Sequence, residues 1–562
     1  MQHLELPPWC GNGWGLRLVE DDDHFYDAMT GDESKAPSPE KQGNNNTNGL
    51  SSSPPDEQTH TEKLKLDELK DAAPEIPFPL DKLREWLIAF VVCDFNVDLG
   101  PEIEWIYPYA PFSPADLTTI CFNSFPDRNN PDDLTTDTSF HFRFRHNSTD
   151  IKVPASDLVP HPEYWFGYCL FRQQRDETVK RKYGQKSFVV ISQYDFTTLF
   201  RDQMLAKTLP LLDFGASAAL MESACAQVAN WPSPRPGEME LPFFGSIFNL
   251  HIPLHASYPL QGLVRKESVK QNHPIDIFAL DPVGSWKQVV EYLPNVGDLY
   301  IIYERVLLCE PLVALSLDPR VCSEFVSLAF DLIRPIPFAG DYRPYITMHS
   351  DIFSQSHGGA TTNHYLIGVT NPFILKRLQT PPIKKPLLQS FSLKEAPYVV
   401  HLTEPIRKNG SLHRRSKSTH REESSFDVVS QEPKGYMSRD WEFLKQLDEM
   451  CRADGSPAEV SRLVRRHFAY LTARFLAPLD RYFAQLITPA SAIDPFEYGC
   501  FSETEFLQNL SKYGSGVEFK GKTNFQRNKM EEAFYKKFCR SPSFFSWLQM
   551  KMELASRSQM AG

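Results

Sequence analysis

Between Gly516 and Thr523 the chain reads GVEFKGKT, which fits the phosphate-loop pattern G-x-x-x-x-G-K-[ST] letter for letter. In a working loop of that kind the glycines let backbone N–H groups converge on phosphates. The Lys, here Lys522, reaches the outer phosphoryl oxygens, and the hydroxyl of Thr523 would hold magnesium. Such a loop needs a buried strand running in and a helix leading out. The preceding residues, SETEFLQNLSKYGS, carry helical spacing instead, from a cap at Ser502 through Phe506, Leu507 and Leu510. Glu518 places a negative charge inside the would-be cradle. The 39 residues after Thr523 are too few for the parallel sheet that would carry a magnesium-binding Asp. The string reads as a Gly-rich loop between two helices, and its match to the pattern as a coincidence.

Other chemistry is equally sparse. No G-x-S-x-G elbow, H-E-x-x-H zinc pair or C-x-x-C pair occurs, the 16 histidines are dispersed, and the ten cysteines stand singly. Reduced core thiols are the expectation, with no catalytic, metal-binding or cofactor-binding residues assigned. The formal charge of −12 is carried by residues 1–81, where 17 Asp/Glu face 6 Lys/Arg. That distribution is not the basic footprint of a nucleic-acid binder, so no nucleic-acid partner is expected. The longest apolar run, WLIAFVVC, is eight residues, against about 18–20 needed to span a bilayer. The first residues show no basic-then-apolar signal pattern, which predicts a cytoplasmic protein.

The elements around these residues fall into segments. Residues 1–81 are polar and Pro-rich and are expected to be disordered. From 82 to 231, LIAFVVCDF predicts a buried strand. EIEWIY alternates, with Ile103, Trp105 and Tyr107 on one side, and FHFRFRH puts Phe140, Phe142 and Phe144 inside with His141, Arg143 and Arg145 outside. Two further strands and two helices complete a small antiparallel α+β unit. The proline-dense stretch 232–242 reads as a linker. From 243 to 402 strands alternate with helices. LVALS runs into an Asp318 cap with Pro319, and YLIGV into an Asn371 cap with Pro372, which argues an α/β layer with a largely parallel sheet. Residues 403–437, basic and Ser-rich, read as a second disordered insertion, and 438–556 as helical, with one apolar face from Val460 to Leu486.

Several blocks go further. WLIAFVVCDFNVDLGPEIEWIYP, ICFNSFPD, FHFRFR, CEPLVALS, DYRPYITMHSD, LIGVTNPF, RRHFAYLTARFLAPLDRY and RSPSFFSWL resemble the DENN domain-containing protein 6 family, in the family's order. The resemblance implies a tripartite DENN fold, with an N-terminal longin-like α+β module, a central α/β module and a C-terminal helical module. It implies guanine nucleotide exchange on a Rab-type small GTPase in endosomal traffic, without covalent catalysis. Related fungal proteins that stabilise the polarity axis supply the alternative, a non-catalytic GTPase-binding scaffold at the cell cortex.

The partner is expected across the first two modules, so contact candidates come from turns and strand ends there. Asp341, Tyr342, Arg343 and Pro344 either present an Arg fork and an aromatic anchor or pair internally to fix a turn. Thr370 and Asn371 lie at a strand's C-terminal end, where α/β proteins often bind ligands, and Asn371 equally serves as a helix cap. Asn96 and Asp98 form an early turn. The basic stretches 172–182 and 407–421 are weaker candidates for contact with anionic membranes.

Overall fold

Residues 76–560 are described in the computed structural model, apart from 97–99, 128–136, 176–182, 206, 208–217, 254–274, 354–363, 380–396, 409–410, 414–434, 487–500 and 515. The expected disorder of 1–75 and of 414–434, and both basic stretches beyond their described ends, lie outside these residues.

After a short helix α1 (Leu80–Arg84), β1 (Ala89–Asn96), β2 (Gly100–Tyr107), β3 (Thr138–Arg145), β4 (Tyr164–Arg175) and β5 (Tyr183–Ser192) build an antiparallel sheet. Its order is β2-β1-β5-β4-β3. Helix α2 (Pro114–Asn123) starts at Ser113, whose side chain accepts from Asp116 N. A π-helical segment (Thr198–Leu205) and α3 (Ala218–Ala229) follow β5. Both faces of this sheet are covered. Phe90 and Val92 enter one apolar core, Ala89, Val91 and Cys93 another, which is why β1 reads as an unbroken apolar run.

Two alternations break down for identifiable reasons. Val92 pairs with Trp105 but Cys93 with Ile103, so Glu104 is an extra residue at a bulge. Ile103 therefore packs on one core and Trp105 and Tyr107 on the other, correcting the single-face expectation. In β3, Phe140, Phe142 and Phe144 are inside as expected, yet His141 and Arg143 are also buried and only Arg145 is exposed. Their face is covered by a later part of the chain. Gly167 sits opposite Phe142 because any Cβ there would lie 2.2 Å from the Phe142 ring.

The stretch expected as a linker contains a strand. β6 (Gly237–Phe243) pairs antiparallel with β7 (Ser246–Ile252), which pairs parallel with β8 (Ile275–Phe278). Met239, Leu241 and Phe243 point into the core that holds Phe90 and Tyr168, so period-two burial outweighs the prolines. After α4 (Trp286–Tyr292) and α5 (Asp298–Leu307) come β9 (Leu312–Ser316), α6 (Pro319–Ala329), β10 (Asp341–Ile346), β11 (Tyr365–Val369), α7 (Phe373–Gln379) and β12 (Tyr398–Leu402). The four strands form a sheet in the order β10-β11-β9-β12 with every pair parallel, as the alternation predicts. Asp318 caps α6 through Arg320 N with Pro319 in the first turn. Pro344 is tolerated in β10 because that strand is an edge, and Gly368 lets β11 approach the Pro344 carbonyl, which would lie 2.2 Å from a Cβ.

The 403–437 segment is not structureless throughout. β13 (Ile406–Lys408) and β14 (Ser411–His413) form a hairpin, and Met437 is buried and bridges Phe519. Helices α8 (Trp441–Arg452), α9 (Pro457–Leu486), α10 (Glu503–Gln508), α11 (Leu510–Tyr513), α12 (Asn524–Cys539) and α13 (Pro542–Met560) complete the chain. Val460, Val464, Phe468, Phe475 and Leu479 share a core with Leu312, Leu366 and Val400, so the helices pack on one face of the parallel sheet. The eight cysteines among the described residues are free and buried.

Candidate partner-binding site

DYRPY is a strand, β10, rather than a turn. It lies along β3, so an edge of the antiparallel sheet meets an edge of the parallel one. Unpaired backbone groups on two such edges need partners, and side chains supply them. Arg343 Nη1 donates to the Arg143 carbonyl at 3.0 Å, and Arg143 Nη1 donates to the Tyr342 carbonyl at 3.2 Å. Arg145 N donates to Asp351 Oδ2 at 3.0 Å. The charges are balanced inside the joint. Arg343 Nε reaches both Asp341 oxygens at 3.1 Å, its Nη1 lies 2.9 Å from Asp351 Oδ2, and Arg143 Nη1 lies 3.2 Å from Asp341 Oδ1. The Tyr164 ring covers the Arg143 guanidinium at 3.6 Å.

Arg343 is only 3% exposed. Burial alone would lower its pKa, but Asp341 and Asp351 outweigh that and hold it above the ordinary value. Beside it, the Tyr342 hydroxyl donates to Asp195 Oδ2 at 2.9 Å. Further along, Arg201 meets Glu324 of α6 at 3.0 Å and His141 meets Ser327 at 3.2 Å. Burial and the nearby Arg201 push the His141 pKa well below 6.5. The internal pairing of Asp341 with Arg343 is thus present, and it joins two sheets.

A second meeting point lies at the C-terminal ends of β10 and β11. Asn123 Oδ1, at the end of α2, accepts from Thr347 N at 3.2 Å and Thr347 Oγ1 at 2.9 Å. Asp127 N donates to the Tyr345 hydroxyl at 3.1 Å, which is 3.3 Å from the buried Thr370 hydroxyl. Asn371 Oδ1 accepts from Phe373 N at 2.9 Å, and burial pushes the carboxyl of Asp127 up to about 7 against the opposing pull of the Asn371 side chain. Cap and inter-sheet contact are therefore combined in one residue. Around this polar corner stand exposed apolar groups. Phe373, 50% exposed, follows β11, and Leu317, 63% exposed, follows the adjacent β9.

The structure brings Thr370 and Asn371 together with Asn123, Asp127, Leu317 and Phe373, which sequence reasoning missed. Tyr345 and Asp127 are 218 residues apart, and only the block ICFNSFPD hinted at that corner. Asn96 pairs with Gly100 at the end of β1, and Asp98 lies outside the described residues. The Phe95 ring beside Asn96 meets Phe125 edge-on, 5.7 Å between centroids, and the Phe125 carbonyl accepts from the Tyr345 hydroxyl, so the end of β1 lies next to the corner.

GVEFKGKT has a packing role. Val517 and Phe519 are buried, Ser438 N donates to the Glu518 carbonyl, and Thr523 Oγ1 accepts from Gln526 N to cap α12. The element before it is α11, a helix, as its spacing predicts.

No family model matches the chain. Individual relatives do. Protein DENND6A of Gallus gallus is 29% identical over 510 residues, covering 84% of this chain and 80% of the relative. Protein DENND6B of Homo sapiens is 28% identical over 509 residues, covering 84% and 80%. The chain is similar to DENND6 proteins over most of its length. The DENND6 homolog of Dictyostelium discoideum, 26% identical over 540 residues with 84% and 71% covered, extends the likeness to a distant organism. The mixed α/β architecture, with one antiparallel and one parallel sheet flanked by helices, is compatible with a DENN fold.

Proposed function

We propose that this protein is a guanine nucleotide exchange factor for a Rab-type GTPase, which docks on the corner formed by Asp127, Asn371, Phe373 and Leu317. The supporting observation is that two sheets distant in sequence jointly build an exposed, partly apolar surface whose polar groups are already fixed by Tyr345 and Thr370. On this reading the three DENN modules correspond to 82–231, 243–402 and 438–556. Exchange needs no general acid, base or metal from the factor. It needs a surface that binds the nucleotide-free GTPase more tightly than the loaded one. By linkage, the same factor that separates those affinities weakens the GTPase's hold on GDP. Phe373 and Leu317 supply apolar anchors, and Asp127, whose carboxyl burial pushes up to about 7, a hydrogen-bonding group whose ionised form a basic group of the partner would favour. Recruitment to endosomal membranes fits this role.

The test is release of fluorescent GDP from a panel of Rab GTPases with and without the full chain. Accelerated release from one or a few of them supports the reading. Binding without acceleration moves the protein to the scaffold class, and no binding to any GTPase defeats both.

A further inference from the structure

Helix α12 is held by one half only. Its buried residues are Phe534, Tyr535, Phe538 and Cys539, with Met530 packed partly against the same core. Every residue from Lys522 to Lys529 is exposed. At 1.5 Å per residue the exposed turns project by about 10 Å. Phe525, in the first turn, is 78% exposed, the most exposed large apolar side chain among the described residues. Between residues 516 and 530 the cations are Lys520, Lys522, Arg527 and Lys529, against Glu518 alone. Several cations elsewhere on the helical part are matched, as in Lys537–Glu310 at 2.8 Å, Arg540–Glu503 at 2.7 Å and Lys551–Asp480 at 2.9 Å. Among the described residues Lys522, Arg527 and Lys529 have no carboxylate partner.

We infer that the projecting end of α12 is a contact point for an anionic lipid surface, with Phe525 entering the interface and Lys522, Arg527 and Lys529 facing the headgroups. An aromatic ring ringed by cations matches the boundary between headgroups and acyl chains, whose depth of about 5–10 Å equals the projection. The positive end of the helix dipole adds to the attraction. The tip is fixed before contact. Thr523 caps the helix, Lys522 N donates to Gln526 Oε1 at 2.9 Å, and Arg527 Nε donates to the Gly521 carbonyl at 3.1 Å. Gly521 permits that approach, since a Cβ there would lie 2.8 Å from Arg527 N. The Gly and Lys of the phosphate-loop string thus set the shape and charge of the tip.

The experiment is co-sedimentation of the full chain with phosphatidylcholine vesicles, with or without about one-third phosphatidylserine. The expected result is binding to the anionic vesicles, weakened by salt. Lys522→Glu with Lys529→Glu should reduce it by roughly 25-fold or more, at about fivefold per cation removed. Phe525→Ser should also reduce it, with melting temperatures unchanged because these side chains are exposed. Absence of binding, equal binding to neutral vesicles, or variants that bind like wild type would each overturn the inference. Variants that bind lipid normally but lose an acidic protein partner would reassign the tip to that partner. No GTPase is present, so the result is independent of the exchange assay.

Discussion

The two sheets meet twice, and the meetings differ in kind. Along β3 and β10 the contact is buried and ionic, with Arg143, Arg343, Asp341 and Asp351 neutralising one another around backbone carbonyls. At the strand ends it is exposed, built on neutral hydrogen bonds through Asn123, Tyr345, Thr370 and Asn371, with Phe373 and Leu317 turned to solvent. Buried charge whose counter-ions are supplied internally has little left to offer a ligand. Exposed apolar surface beside fixed polar groups retains that capacity. The first contact thus serves architecture, and the second is the surface proposed above for the partner.

Three substitutions would break or sharpen that division. Arg343→Ala strips the cation from two buried or half-buried carboxylates and frees the Arg143 carbonyl. It should cost about 3–5 kcal/mol of stability, read by denaturant unfolding; a change within about 0.5 kcal/mol would show that the ionic contact does not hold the sheets. Phe373→Asp should leave unfolding unchanged and cut GTPase exchange or binding by on the order of 30-fold, as for an anchor worth about 2 kcal/mol. Full activity in that variant would remove the corner from the proposed site. Thr523→Ala removes a helix cap worth about 1 kcal/mol and should leave both exchange and nucleotide content untouched. Loss of bound nucleotide in that variant would revive the phosphate-loop reading.

Acidity should weaken the packing of β3 against α6, where His141 meets Ser327. The folded-state pKa of His141 lies well below 6.5 because of burial and then Arg201. The unfolded chain therefore binds the extra proton as pH falls below 6.5, and stability falls with it; above 6.5 this contribution is fully present. Glu304 runs the other way. Burial raises it to about 7 against the bonds from Met437 and Tyr436, so its contribution is lost as pH rises from 4.5 through 7. Comparing wild type with His141→Gln isolates the histidine. The variant's stability should fall less steeply between neutral pH and pH 5, and equal slopes would remove His141 from the account.

Local signals in the sequence were dependable where one short segment decided the outcome. Asp318 and Ser502 cap the helices they announce, the apolar strands LVALS and YLIGV lie in a parallel sheet, and the helical residues before GVEFKGKT rule out an incoming strand. What escaped depends on distant chain. His141 and Arg143 alternate like solvent-facing residues, yet β10 and α6, about two hundred residues away, close over their face. The bulge at Glu104 inverts a face through a single inserted residue that composition does not mark. The corner at Asp127 and Asn371 exists only once both sheets have folded.

The reciprocal arginines also bear on assembly. Each of β3 and β10, taken alone, would be an open strand border able to recruit a further chain, and each would carry a guanidinium with half its partners missing. Docking the sheets silences both borders at once. Separating the two sheets should therefore expose two strand borders able to pair with other chains.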